Sequence, residues 1–405
     1  MKKLLALGLA AAMTVTGACL LASCKDDGST LKVGFIALHD SSSTYDKNFI
    51  DAIEAACEKK GVELIMKTGI PEDNTCYNAA ADLVDQGCDV IFADSFGHEE
   101  FILQAAKEFP DVEFCHATGT LAHTAGVANH HNAFAHIYQG RYLAGIAAGM
   151  KLVEMYEANE LEANNYDADG NIKIGYVGAY PYAEVVSGYT SFFLGARSIV
   201  EAETDISISM EVTYTSSWFN ESAESEGAKT LISRGAALIS QHADSMGAPS
   251  ACEAAGVPNV SYNGSTEASC PNTFIVSSYI NWEPYFEYMI DCVMNGEEIA
   301  ADWTGTLETG SVALTELGAA AAEGTAEKIE EVKAQLEAGT LNVFDCSKFT
   351  VDGEHLTTYM ADVDTDDAFT PDHEAIENGV FYESKHRSAP YFDVRIDGIT
   401  ELSES

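Results

Sequence analysis

Basic residues are scarce in this 405-residue chain, where 21 Lys and Arg stand against 64 Asp and Glu for a formal net charge of −43 at pH 7. A surface of that sign repels phosphate backbones and argues against nucleic acid as a partner. Dispersed on solvent faces, the same acids give solubility. Long apolar runs are equally scarce, since beyond the first two dozen residues none approaches the length that spans a membrane. The ten cysteines lack the close repeated spacing of a zinc ribbon or redox pair. Cys57, Cys88 and Cys115 fall inside apolar patterns where a thiol packs as a small hydrophobe, while disulfide pairing stays open. The chain also has no nucleophile elbow, no phosphate-cradling glycine loop and no zinc-protease helix motif, so catalysis is not expected.

The one long apolar stretch runs from Leu4 to Leu21 behind Lys2 and Lys3 and ends in Leu21-Ala22-Ser23-Cys24. Small residues interrupt it, which suits a processed leader better than a retained membrane helix. Residues 1–23 are therefore read as a lipoprotein signal peptide, Cys24 as the lipid-modified first residue and 24–30 as a tether. Cys19 is a weaker cleavage point, because Thr16-Gly17-Ala18 lacks an aliphatic residue at the third position before the cut. Removing the leader takes Lys2 and Lys3 with it and shifts the charge to −45. The expected location is the extracytoplasmic face of the cell membrane, away from cytosolic ATP.

From Leu31 short apolar runs alternate with amphipathic helical patterns, the signature of buried parallel strands between helices. Lys32 to Leu38, Val62 to Met66, Asp89 to Ala93 and Val112 to His116 are predicted strands, with helices near Lys47 to Lys60, Asn78 to Gln86 and Glu99 to Phe109. After an acidic connection at Glu154 to Asn171 the design restarts, Lys173 to Ala179 echoing Lys32 to Leu38. The predicted fold class is α/β, with two Rossmann-like, doubly wound parallel-sheet lobes; the family resemblance given below implies a type I periplasmic-binding-protein architecture. Residues 31–150 plus about 272–312 are assigned to the first lobe and 151–271 plus about 313–360 to the second. Residues 361–405 form an extension without an assigned role.

Open α/β sheets bind ligands at the carboxyl ends of their strands. Those ends carry His39 to Tyr45, Ser95-Phe96-Gly97, Thr118-Gly119, Tyr180-Pro181, Trp218-Phe219, Gln241 to Ser245 and Tyr262-Asn263-Gly264. Aromatics interleaved with small polar groups suit a flat, hydrogen-bonding, weakly charged solute. Taken singly, each aromatic serves core packing equally well. From these ends Tyr45, Ser95, Phe96, Tyr180, Trp218, Asp244 and Asn263 form the candidate ligand-binding set, which the family resemblance given below extends to Trp282. Asp244 leads it, because a buried carboxylate needs a donor to offset desolvation; its alternative role is a helix N-cap.

Ser95-Phe96-Gly97, the run Ala106 to Gly119, Tyr138 to Gly145, Glu184-Val185-Val186, Leu194 to Ser198, Ser217-Trp218-Phe219, Gln241 to Ser245, Tyr262-Asn263 and Asn281 to Tyr285 resemble the basic membrane protein (BMP) family of lipoproteins, and the likeness runs to about Gly353. The resemblance implies a substrate-binding component of an ABC importer that takes purine nucleosides or related bases and docks on a membrane permease. It places Tyr45, Phe96, Trp218 and Trp282 near the ligand or cleft wall, with Asp244 and Asn263 hydrogen-bonding to it. No cofactor and no metal is implied. Two departures affect the ribose contacts: Ser43 replaces an aromatic before Thr44-Tyr45, and His116-Ala117-Thr118-Gly119 lacks the aspartate of nucleoside-receptor relatives.

Three rival readings remain. His116, His123, His130, His131 and His136 lie close in sequence, which raises zinc uptake, but no ligand spacing joins them, and His123, His130 and His131 are predicted on a polar loop. A nucleoside-cleaving enzyme would need paired cleft carboxylates that are not evident. A ligand-sensing lipoprotein would look the same in sequence as a transport component.

Overall fold

The structure is a computed structural model that describes residues 31–363 and 373–402. The signal peptide, the lipidation site Cys24 and Pro371 lie outside the described residues. In chain order the first elements are β1 (Lys32–Ile36), α1 (Thr44–Lys60), β2 (Glu63–Lys67), α2 (Asn74–Asp85), β3 (Val90–Ala93), α3 (Glu99–Glu108), β4 (Glu113–Ala117), β5 (His130–Ala135) and α4 (Ile137–Glu157). They continue with β6 (Ile172–Gly178), α5 (Ala183–Glu203), β7 (Ile208–Tyr214), α6 (Glu221–Ser233), β8 (Ile239–Gln241), α7 (Gly247–Ala255), β9 (Asn259–Tyr262) and β10 (Phe274–Ile280). Then come α8 (Glu283–Asn295), β11 (Asp302–Gly305), β12 (Val312–Leu314) and α9 (Thr325–Glu337).

Local chemistry sets these elements. At α1 the Ser43 side chain accepts from the Asp46 amide and caps the start. Phe49, Ile50, Ile53, Ala56 and Cys57 line the buried face, and Gly61, at φ 69°, ends the helix in the left-handed region. In β1 and β3 nearly every residue is buried, as expected of strands covered by helices on both faces.

Two parallel sheets result, as expected of a doubly wound α/β chain. The first has the order β11-β5-β4-β3-β1-β2. The second runs β12-β10-β9-β8-β6-β7 and ends on a last strand, Ile399–Glu401; only β12 is antiparallel.

Two lobe assignments are corrected. The β10 strand, expected in the first lobe from residue 272, pairs with β9 in the second sheet. The return to the first lobe begins with α8, which packs on α1, and continues with β11 beside β5. Helix α4, whose residues to 150 were assigned to the first lobe, lies along α5 of the second. Glycines permit that approach: a Cβ on Gly145 would stand 2.1 Å from the Phe192 carbonyl oxygen, and one on Gly195 would stand 2.2 Å from that of Tyr142. The chain therefore crosses between lobes after β5, after β10 and after β11.

The described tail is built into the molecule. Its last strand pairs in parallel with β7, and Glu401 accepts from the Tyr214 hydroxyl at 2.6 Å and the Tyr189 hydroxyl at 2.8 Å. Phe392 stacks on Phe344 with ring centres 4.2 Å apart. The Ser388 amide donates to Asp302 of β11 at 2.6 Å, so the tail also touches the first lobe.

Candidate functional site

The strand ends of both lobes meet around a narrow cavity. From the first lobe come Leu38 and His39 after β1, Tyr45 and Asp46 in the first turn of α1, Ser95 and Phe96 after β3, and Thr118 after β4. The second lobe supplies Glu184 in the first turn of α5, Trp218 after β7, His242 and Asp244 after β8, and Tyr262 at the end of β9.

Of the predicted residues, Tyr45, Ser95, Phe96, Trp218 and Asp244 line this cavity. The Tyr45 hydroxyl donates to the Asp94 carbonyl at 2.7 Å, which leaves its ring as the exposed feature. Ser95 Oγ is turned aside, donating to Glu72 at 2.6 Å. Asp244 is 4% exposed, and Asn263 donates to its Oδ1 at 3.2 Å, so Asn263 stands behind Asp244 rather than on the wall. Burial raises the Asp244 carboxyl well above the usual range, and the charges of Asp46, Glu224 and Glu184 add to the effect. The N-cap alternative does not apply: α7 begins at Gly247 behind Met246, and Ser245 Oγ accepts from the Gly247 amide.

Tyr180 forms a second layer, its ring 5.1 Å from Trp218 and stacked at 5.1 Å on Tyr182. Trp282 requires correction. It is 1% exposed, stacks on Phe49 at 4.4 Å and packs with Phe92 and Tyr285 in the first-lobe core. Phe49 in turn sits 4.8 Å from Tyr45, so a ring layer separates Trp282 from the cavity.

Several lining residues fall outside the predicted set. Asp46 is buried and accepts from the His39 amide at 2.7 Å, the Ser43 hydroxyl at 2.6 Å and His39 Nδ1 at 3.2 Å. Burial opposes its ionisation, but the bonds from His39 and Ser43 outweigh that and lower its pKa overall. His242 Nε2 lies 3.2 Å from Glu184 Oε1, and burial keeps the imidazole neutral-leaning. His39, Thr118, His242 and Tyr262 occupy the strand-end segments, whereas Asp46 and Glu184 sit one turn into helices, where a carboxylate also complements the helix dipole.

The lobes touch beside the cavity. The Asp244 carbonyl accepts from both the Thr44 amide at 3.0 Å and the Thr44 hydroxyl at 3.1 Å, and the Phe96 ring approaches Tyr182 to 5.8 Å.

The histidine-rich stretch is dispersed. His130 and His131, expected on a loop, lie buried in β5, where Glu99 and Glu113 partner them; His123 pairs with Asp302 at 2.8 Å, and His116 donates from Nε2 to the Ser95 carbonyl at 2.6 Å. Among the described residues no group of three or more His, Cys, Asp or Glu is placed to hold a metal.

Two parallel-sheet lobes with a shared cavity at their strand ends make a type I periplasmic-binding-protein fold. Solved structures of that class share the fold. A solute-binding protein of an ABC transporter system from Conexibacter woesei superposes with a TM-score of 0.60 at 22% identity, covering 77% of this chain and 98% of its own. One from Aeropyrum pernix K1 gives 0.62 at 16%, covering 76% and 92%.

The chain belongs to the Bmp family, described as ABC transporter substrate-binding protein PnrA-like, which matches residues 32–340. A purine-binding protein of Brucella abortus is 30% identical over 320 residues, 78% of this chain and 83% of its own. A Haloferax volcanii protein provisionally named as an ABC transporter glucose-binding protein is 30% identical over 261 residues, 64% of this chain and 60% of its own. The chain is thus an ABC transporter substrate-binding protein, a class that binds a small molecule and presents it to a transporter.

Proposed function

We propose that this protein captures a purine nucleobase or nucleoside between its lobes at the extracytoplasmic face of the membrane, tethered by lipid on Cys24, and delivers it to the permease of an ABC importer. The observation that carries the reading is the composition of the cavity wall: Tyr45 and Phe96 from one lobe, Trp218 from the other, with carboxyl groups at Asp244 and Glu184 and no Lys or Arg on the lining. Rings stack on the faces of a planar solute while the carboxyl groups read its edges. An anion would meet the carboxylate of Asp46, which also lines the cavity. Tyr180 and Asn263 act from behind by holding Trp218 and Asp244, and Ser95 contributes to the wall. Contacts from both lobes make the closed state the tighter binder, so ligand shifts the population toward closure.

Isothermal titration of the purified chain with adenine, guanine, hypoxanthine, their nucleosides and glucose tests the reading. At least one purine is expected to bind, and Trp218→Ala or Asp244→Ala should each weaken it by about tenfold or more with the circular dichroism spectrum unchanged. Binding of glucose alone, or full affinity in both variants, overturns the assignment.

A further inference from the structure

Each lobe contributes one imidazole–carboxylate pair to the cavity, His39 with Asp46 and His242 with Glu184. The pairs are not equivalent. Both oxygens of Asp46 are occupied, Oδ1 by the His39 amide and Oδ2 by Ser43 and the His39 ring, so this carboxylate serves to hold His39. Glu184 has a single bond of this kind, Oε1 to His242 Nε2, and its Oε2 has no hydrogen-bond partner among the described residues. Its side chain is 15% exposed, on a residue that lines the cavity.

The support behind Glu184 is rigid. His242 packs 4.6 Å from the Tyr262 ring and lies against Gly188, where a Cβ would meet Nδ1 at 3.0 Å. Arg141, fully buried, lies 4.2 Å over the other cavity ring, Tyr262, and donates from Nη2 to the Gln241 carbonyl at 3.0 Å, one residue before His242. Its Nε and Nη1 have no partner among the described residues, so a positive charge stands behind the wall without reaching the cavity.

From this arrangement we infer that Glu184 is the specificity-determining residue of the cavity, its free oxygen accepting an N–H from the edge of a planar heterocycle while His242 acts as the positioning residue. The inference rests on the purine reading and refines it. A carboxylate oxygen rewards an amino or imino hydrogen at that edge and penalises a carbonyl or ring nitrogen lone pair there. Bases that differ only in this donor or acceptor character should therefore be ranked by Glu184, whereas the stacking rings treat them alike.

Titration calorimetry on the full chain and on Glu184→Gln, using adenine, guanine, hypoxanthine and unsubstituted purine, tests it. The parent should bind bases carrying an amino or ring N1–H group better than unsubstituted purine, and Glu184→Gln, which keeps the shape but replaces one acceptor oxygen with an amide donor, should weaken the preferred base by about tenfold or more and compress the ranking. Glu184→Asp, which withdraws the carboxylate by one methylene, should also weaken that base, and thermal melting checks that both variants fold. His242→Gln should lower affinity for all the bases while keeping their order. If the parent binds a purine and both Glu184 variants match its affinities and ranking within twofold, the inference fails and the purine reading stands. If the parent binds none of the four, the purine reading fails and takes the inference with it.

Discussion

Glu383 reaches into the second lobe from the C-terminal segment, 2% exposed, with Ser187 donating to its carboxylate. Burial lifts its pKa to about 8, with the nearby Glu184 charge adding to the effect. In the unfolded chain the group titrates near the ordinary 4.5. Between those values the folded protein keeps a proton that the unfolded chain has released, so rising pH costs stability across that window. Melting temperature should therefore decline from pH 5 to pH 8, and Glu383→Gln should flatten the decline relative to the parent measured in the same buffers. An equal slope in both proteins would remove this assignment. Glu99 behaves in the opposite sense: burial raises its carboxyl, but His130, His116 and the Leu121 and Thr120 amides hold it down at about 2. Its contribution is complete above the ordinary carboxylate range and fades only toward pH 2.

At this scale the strand-end rule placed Phe96, Trp218 and Asp244 among the lining residues, since each follows a buried strand, whereas Tyr45 stands in the first turn of α1. Glu184 and Asp46 escaped it, each standing inside the first turn of a helix where an acid has an ordinary reason to be. Trp282, placed near the cleft by the family resemblance, lies deeper, because Phe49 fills the layer between it and Tyr45.

Among elements, the contact of α4 with α5 depends on backbones that come too close for side chains. Gly195→Val should destabilise the protein by about 3 kcal/mol, read as a lower urea midpoint, since its Cβ would meet the Tyr142 carbonyl oxygen rather than a side chain that can swing away. A midpoint within error of the parent would show that the helices can part cheaply. The apolar runs of β1, β3, β4 and β6 were readable from the sequence because full burial leaves no alternation to confuse them. Sheet membership was less readable. Nothing local distinguishes Phe274 to Ile280 as a partner of β9 rather than of β5, since that choice is made by contacts across the whole fold.

For the molecule as a whole, the tail joins both lobes, and its last strand covers the edge of β7 that would otherwise present unpaired backbone groups. A chain ending after Asp362 should melt at least about 5 °C lower than the parent and show concentration-dependent association by light scattering. Unchanged melting and a monodisperse sample would mark the segment as dispensable. The composition of residues 361–405 gave no warning of this, because a strand as short as Ile399–Glu401 carries too little periodicity to be recognised.

The three passages of the chain between lobes bear on how the protein can be altered. Each half is assembled from pieces that lie far apart in the gene, so no single cut yields an intact half and no contiguous fragment can be exchanged with a relative as a module. A change of cargo has to arise through substitutions scattered around the pocket rim, made within a scaffold that must be inherited entire.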